Sequence, residues 1–330
     1  MVCTSLLLLL SVAFVQAAPA APAKEETTLQ KLEREISAIV EKVRPSVVRV
    51  HADDLTFSGV IYTKDGHVVT DASGIEHAVE LRVTVGDRSF TADRMDADKR
   101  TGIAVIKISA KELMPASISA EGCKSGTQAI VVGNALGMPS CSSFCTIGGI
   151  GRSILVRGRK YENMLQMSAA VLPGDCGAFV ADSAGRLVGL VQSAGAVETG
   201  DEKLVPAPAF AVPAAWVKFS ADRIIKHGKM VRGWLGASLL PLSDAARSHL
   251  GLDAGVGAEV ARVERESPAR KAGLAARDIL VSFDGQSVGD LDALQWKIAA
   301  VEEPTKVRIV FLHNGETKTV ETQIELDPQK

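Results

Sequence analysis

The sequence predicts a mainly β fold that gives way, toward its C-terminal end, to a smaller α+β module. Three observations carry this expectation. Aromatic residues make up 4% of the chain against 29 glycines, a composition suited to short strands and tight turns rather than to a helix bundle. Between Ser46 and Gln192, strand-length apolar runs follow one another with turn residues between them and no regular helices. Near Phe219 the pattern changes, and a charged stretch from Ala221 to Arg232 leads into mixed strand and helix signals. With 46% hydrophobic and 23% charged residues, the chain has the composition of a folded protein with a core.

The elements follow in order. Leu6 to Val15 is an apolar run broken only by Ser11, and Val15-Gln16-Ala17 offers small residues for cleavage. Residues 1–17 therefore read as a signal peptide and the protein as exported, periplasmic or secreted. The run is too short to cross a hydrocarbon core of about 30 Å, and no later segment is long enough for a stable membrane span. Residues 18–43 hold a Pro/Ala-rich spacer and an amphipathic helix, in which Leu29, Leu32, Ile36, Ile39 and Val43 recur at helical spacing until Pro45 stops it. Strand signals come next at Ser46–His51, Gly59–Tyr62, His67–Thr70, Glu80–Val85 and Ile103–Ile108, with a hairpin turn at Lys64-Asp65-Gly66. Further strands are expected at Gln128–Val132, Asn163–Ala169, Ala178–Ala181 and Leu187–Gln192, which together call for barrels or a sandwich. The later module shows strands at Gly236–Leu240, Gly257–Val263 and Asp278–Phe283. It adds a short helix at Pro268–Lys271, a helix at Leu291–Ala300 and a hairpin at Asn314-Gly315.

Charge and cysteine content narrow the function classes. Lys plus Arg number 37 against 39 Asp plus Glu, a net charge of −2, which lacks the electrostatic footprint of a nucleic-acid binder. Past the signal segment the cysteines are Cys123, Cys141, Cys145 and Cys176. Export permits disulfides, and Cys141 and Cys145 lie in one Ser-rich stretch, read as a loop that can bridge locally. Small buried thiols are the alternative. No metal-ligand spacing is present, and no cofactor is implied.

A series of short motifs, in order and at consistent spacing, resembles the HtrA/DegP-type proteases, which join a trypsin-like double β-barrel to a PDZ domain. The motifs are Arg44-Pro45-Ser46-Val47-Val48, Ser58-Gly59-Val60-Ile61, Asp98-Lys99-Arg100-Thr101, Gly133-Asn134, Pro173-Gly174-Asp175-Cys176-Gly177, Gly185-Arg186-Leu187-Val188-Gly189 and Phe210-Ala211-Val212-Pro213. The resemblance implies a mainly β chain with a trypsin-like double β-barrel over residues 44–220 and a smaller α+β PDZ domain, with a short linker, over residues 221–330.

The resemblance also locates a catalytic triad, and every position of it has changed. A serine protease needs a hydroxyl nucleophile, an imidazole to take its proton and a carboxylate to orient the imidazole. Where the family has the imidazole, this chain has Ser73; where it has the carboxylate, Gly102; where it has the nucleophilic serine, Cys176. A thiol is a competent nucleophile, and Gly-Asp-Cys-Gly is also similar to the nucleophile turn of viral chymotrypsin-like cysteine proteases. A serine hydroxyl is no general base near pH 7, and loss of triad members costs about 10⁴ to 10⁶ in turnover. His77, four residues past Ser73, reads as a solvated surface residue rather than a replacement base. The backbone N–H groups of Gly174 and Cys176 are expected to keep part of an oxyanion hole. Ala178 and Phe179 add bulk behind that turn, and a bridge from Cys176 to Cys141 or Cys145 is a further expectation.

In the later module Arg232-Gly233-Trp234-Leu235-Gly236 resembles the PDZ carboxylate-binding loop, which makes Gly233, Trp234, Leu235 and Gly236 candidate peptide-binding residues. An extended peptide would add beside Ala237–Leu240 against the following helix. The resulting expectation is an exported pseudoprotease that binds polypeptide C-termini or unfolded proteins without efficient hydrolysis. The resemblance also implies homo-oligomers, trimers among them. Two alternatives stay open: an endopeptidase with Cys176 as nucleophile, and a structural or assembly subunit joined through the N-terminal helix.

Overall fold

The computed structural model describes residues 26–328 except 157, 194, 195, 199–203, 207, 208 and 290, so the expected signal peptide lies outside the described residues. Helix α1 (Thr28–Val43) begins at a capping box in which Thr27 and Gln30 satisfy each other's backbone N–H groups. Leu29 and Leu32 at its start are exposed, whereas Val40 and Val43 at its end are buried against the body of the chain. A 3₁₀ turn over Arg44–Ser46, carrying Pro45, ends it.

The first barrel is closed by β1 (Val47–Ala52), β2 (Leu55–Ile61), β3 (His67–Asp71), β4 (Leu81–Val85), β5 (Arg88–Asp98) and β6 (Ile103–Ile108), with the one-turn helix α2 (Ala72–Ile75) after β3. The strands alternate between Val, Ile and Ala that fill the barrel and residues that face out, and closure leaves no unpaired edge. The charged β5 carries no clean apolar alternation, which is why it escapes a reading by hydrophobic periodicity.

The second barrel comprises β7 (Gln128–Gly133), β8 (Cys141–Val156), β9 (Arg159–Met167), β10 (Phe179–Ala181), β11 (Leu187–Ser193) and β14 (Ala209–Pro213), with a separate ribbon of β12 (Ala196–Glu198) and β13 (Leu204–Pro206). The Ser-rich stretch expected as a loop is the start of β8, paired with β7 from Cys141 to Thr146. Cys141 and Cys145 are therefore four residues apart along one strand, about 13 Å at the usual rise, beyond disulfide reach. Neither the local bridge nor the bridge to Cys176 forms: Cys123, Cys141, Cys145 and Cys176 are all outside disulfides.

The first part of the charged stretch, residues 221–227, lies in helix α3 (Ala214–His227), whose Val217, Ala221 and Ile224 are fully buried between the barrels. Each buried Val or Ile contributes about 1.5–3 kcal/mol. Gly228, with φ +69°, ends the helix in the left-handed conformation that glycine adopts without strain.

The last module is a twisted sheet in the order β15 (Gly233–Trp234), β21 (Glu316–Leu326), β20 (Thr305–His313), β18 (Ile279–Phe283), β17 (Ala258–Val263) and β16 (Ala237–Pro241), with β19 (Gln286–Ser287) paired to β18. Helices α4 (Asp244–His249), α5 (Pro268–Lys271) and α6 (Leu291–Ala299) complete it. Its own core is built around Val260, Leu280, Ile309, Phe311 and Ile324. The module rests on α3 through an aromatic cluster: Trp216 and Trp296 meet edge-on at 4.4 Å, and Phe219 lies 5.1 Å from Trp296. The Arg232 guanidinium stacks on Trp216 and Phe219 and pairs with the buried Asp98, whose carboxylate also accepts from Ser220. Arg223, Lys226 and His227 of α3 gather on Glu302, so much of the charge of this stretch faces the second module.

Candidate functional site

Ser73 stands at the start of α2. Asp71, the last residue of β3, caps that helix: its carboxylate accepts from the Ser73 N–H at 3.2 Å and from the Ser73 hydroxyl. The Ser73 hydroxyl is thus committed to a cap. Asp71 itself is 0% exposed, and burial pushes its carboxyl above the usual range, against the hydrogen bonds from Ser73 and Gln192.

Gly102 lies buried in the turn between β5 and β6 with φ +74°. Its N–H donates to the Asp98 carbonyl at 2.8 Å, and its own carbonyl accepts from Ala72 at 2.8 Å. No carboxylate faces Ser73 from this turn. The space beside it is filled instead by the Gln192 amide: a Cβ at position 102 would lie 2.6 Å from Gln192 Nε2 and 2.7 Å from Oε1.

Cys176 sits half-buried in a tight turn held from several sides. Asp175 N–H donates to Leu172, Ala178 N–H to Asp175 and Gly177 N–H to Val191, while Cys176 O accepts from Ser58 N–H at 2.9 Å. Gly174 (φ +98°) needs to be glycine, because a Cβ there would fall 2.6 Å from the Asn134 carbonyl. Ser58 ties the turn to the first barrel: its hydroxyl donates to Gly174 O at 2.8 Å and accepts from Asn134 N–H at 2.9 Å. The Gly174 N–H finds no acceptor among the described residues, as an oxyanion donor requires. Ala178 and Phe179 are accommodated in the cores, Ala178 beside the side-chain-free Gly133.

The three positions come together on one residue that the sequence did not single out. Gln192, at the inner end of β11, donates from Nε2 to Asp71, lies against Gly102, and sets its main-chain carbonyl 3.5 Å from the Cys176 sulfur. The only signal for it in the sequence is a polar residue closing the apolar run that starts at Leu187. Four of the six histidines bond elsewhere. His51 bonds Thr84 and Thr56, His67 bonds Thr63, and burial lowers the pKa of both rings. His227 pairs with Glu302 and His313 with Asp278, and His77 is exposed past the end of α2.

The second candidate region is the segment from Gly233 to Gly236. Gly233 is buried, and a Cβ there would meet the Ile298 carbonyl at 2.1 Å; Trp234 is half-buried beside it. Gly236 has φ +75°, and a Cβ on it would lie 2.2 Å from Ser267 Cβ. The carbonyls of Leu235 and Gly236 accept from Ala269 and Glu264, which turns them inward. The N–H groups of Leu235 and Gly236 have no acceptor among the described residues. Beyond them β16 pairs with β17 alone among the described residues and is the end strand of the sheet. Half-buried Ala237, Leu239, Leu291 and Ile298 pack onto the core from β16 and α6. Two loop N–H groups without an acceptor, an end strand and an apolar helix face together can accommodate an extended peptide.

Comparison with known proteins bears on both regions. The profile of the trypsin-like peptidase domain matches residues 57–190, and that of the PDZ domain matches residues 233–324. A probable periplasmic serine endoprotease, DegP-like, of Chlamydia trachomatis is 31% identical over 267 residues, 80% of this chain and 53% of that protein. The periplasmic serine endoprotease DegP of Escherichia coli K12 is 28% identical over 276 residues, 82% of this chain and 57% of that protein. The chain thus spans about half the length of the curated relatives it matches. Among solved structures, the HtrA-type protease AlgW with a tripeptide superposes with a TM-score of 0.76 at 27% identity, covering 89% of this chain and 98% of that one.

Proposed function

We propose that this chain, which belongs to the HtrA-like family of trypsin-fold proteins carrying a PDZ domain, binds polypeptide and does not hydrolyse it. The observation that carries the reading is the arrangement at the three triad positions. The hydroxyl of Ser73 is spent on Asp71, no carboxylate comes from Gly102, and the amide of Gln192 fills the space between them. An amide and a capping hydroxyl do not draw a proton from a thiol near pH 7. The Cys176 turn and the Gly174 N–H nonetheless keep a protease-like shape, which supports a cleft retained for binding.

The PDZ region supports uptake of a peptide C-terminus: the N–H groups of Leu235 and Gly236 would receive the carboxylate, and the chain would extend along β16. AlgW has been solved with a tripeptide and with a decapeptide, and this domain is read in the same sense. The relatives' periplasmic setting supports export, and the exposed Leu29 and Leu32 of α1 support assembly of copies through that helix.

The alternative is an endopeptidase that uses the half-buried Cys176 thiol. The test compares casein hydrolysis by the wild type and by Cys176→Ala. No turnover by either is the expected result; turnover that disappears in Cys176→Ala assigns the alternative.

A further inference from the structure

We propose that Gln192 is the positioning residue that closes this cleft to triad chemistry, in addition to the changes at positions 73, 102 and 176. This inference rests on the reading of the cleft as degenerate. It explains what fills the place that the missing groups leave.

Gln192 is 4% exposed and reaches from the second barrel into the first. Its Nε2 donates to the buried Asp71 carboxylate, while its buried Oε1 has no hydrogen-bond partner among the described residues. A buried amide oxygen without a partner is unfavourable, so the Asp71 bond and the packing against Gly102 hold the side chain where it is. A carboxylate at position 102 would start from a Cβ only 2.6–2.8 Å from the Gln192 amide atoms. Real Cβ contacts are not that close, so a side chain at 102 and the present Gln192 rotamer exclude each other. The glycine at 102 and the glutamine at 192 form one complementary pair. Its amide holds the inner wall of the cleft by binding Asp71, which in turn caps α2 and fixes Ser73.

Restoring a triad by changing the three expected positions is therefore insufficient. The test builds Ser73→His/Gly102→Asp/Cys176→Ser with Gln192 retained and again with Gln192→Ala, and follows casein hydrolysis and stoichiometric labelling by a fluorophosphonate. The expected result is an inert triple variant and at least a hundredfold gain on adding Gln192→Ala. Equal activity with and without Gln192→Ala overturns the proposal, as does an inert, folded quadruple variant. Hydrolysis by the wild type would instead overturn the underlying reading of the cleft, so the two failures are distinguishable.

A second measurement does not need catalysis. Gly102→Ala lowers the melting temperature in the wild-type background through the Gln192 contact and through the strain of a Cβ at φ +74°, and the drop is smaller in the Gln192→Ala background, where only the strain remains. An unchanged drop in both backgrounds means that the two positions do not exclude each other, which refutes the pair.

Discussion

Gln192 and Asp71 join the two barrels beside positions 73, 102 and 176: the amide of one donates to the fully buried carboxylate of the other. The same carboxylate caps α2 through Ser73. One buried acid thus organises the wall where the resemblance places the base of a protease.

That acid makes stability depend on pH in an unusual direction. Burial raises the Asp71 carboxyl above its ordinary value of 3.8. Between the unfolded and the folded pKa the native state holds the proton more tightly, so this residue's contribution falls as pH rises through that window. The slope is at most about 1.4 kcal/mol per pH unit. Asp71→Asn lacks this term, so its melting temperature gains on the wild type as pH is raised from about 4 to 7. A difference that stays flat with pH contradicts the assignment.

The contact between the barrels and the PDZ module yields a second prediction. Arg232 and Asp98 are both almost fully buried and paired, and Arg232 also stacks on Trp216 and Phe219. Removing one partner leaves a buried charge, so Arg232→Leu is expected to cost about 3–5 kcal/mol in urea unfolding. Arg232→Leu with Asp98→Asn costs less than the sum of the single changes. Strict additivity would show that the pair is not coupled.

The thiols give a third. Without reductant, denatured protein is expected to take up alkylating reagent at Cys123, Cys141, Cys145 and Cys176 alike. In the native state Cys145 reacts most slowly, because it is buried and burial pushes its thiol up to about 11. Its thiolate fraction at pH 8 is then about 10⁻³. A bridged pair, seen by mass as two unalkylated cysteines, contradicts the structure.

Peptide recognition gives a fourth. If the Leu235 and Gly236 N–H groups receive a carboxylate, amidating a bound peptide removes charge-assisted hydrogen bonds worth about 1.5–3 kcal/mol, so affinity falls about 10- to 150-fold. Gly236→Val weakens free-acid peptides to a similar extent, since its side chain would collide with Ser267. Equal binding of acid and amide peptides in a fluorescence titration removes the carboxylate loop from the account.

Much of the architecture was legible in local signals. Lys64-Asp65-Gly66 marks the β2–β3 connection, Asn314-Gly315 the β20–β21 hairpin, and Pro268–Lys271 the short α5. What escaped had a physical reason. Strand β8 is interrupted by Gly148, Gly149 and Gly151 and by shifts of register, so its side chains do not alternate regularly. Helix α3 hides its buried Val217, Ala221 and Ile224 among charges that serve the contact with the second module. The Thr27–Gln30 capping box was a readable cue for the start of α1. At the site, the altered residues were visible as departures from a motif. Gln192 was not, because its role is created by the fold that sets β11 against the turn at Gly102.

The most direct measurement takes a free-acid peptide, incubates it with the wild type, isolates the complex and identifies the recovered peptide by mass spectrometry. Binding without hydrolysis leaves the peptide bound and intact at every time point. Fragments with new termini that accumulate with the wild type and are absent with Cys176→Ala would contradict it.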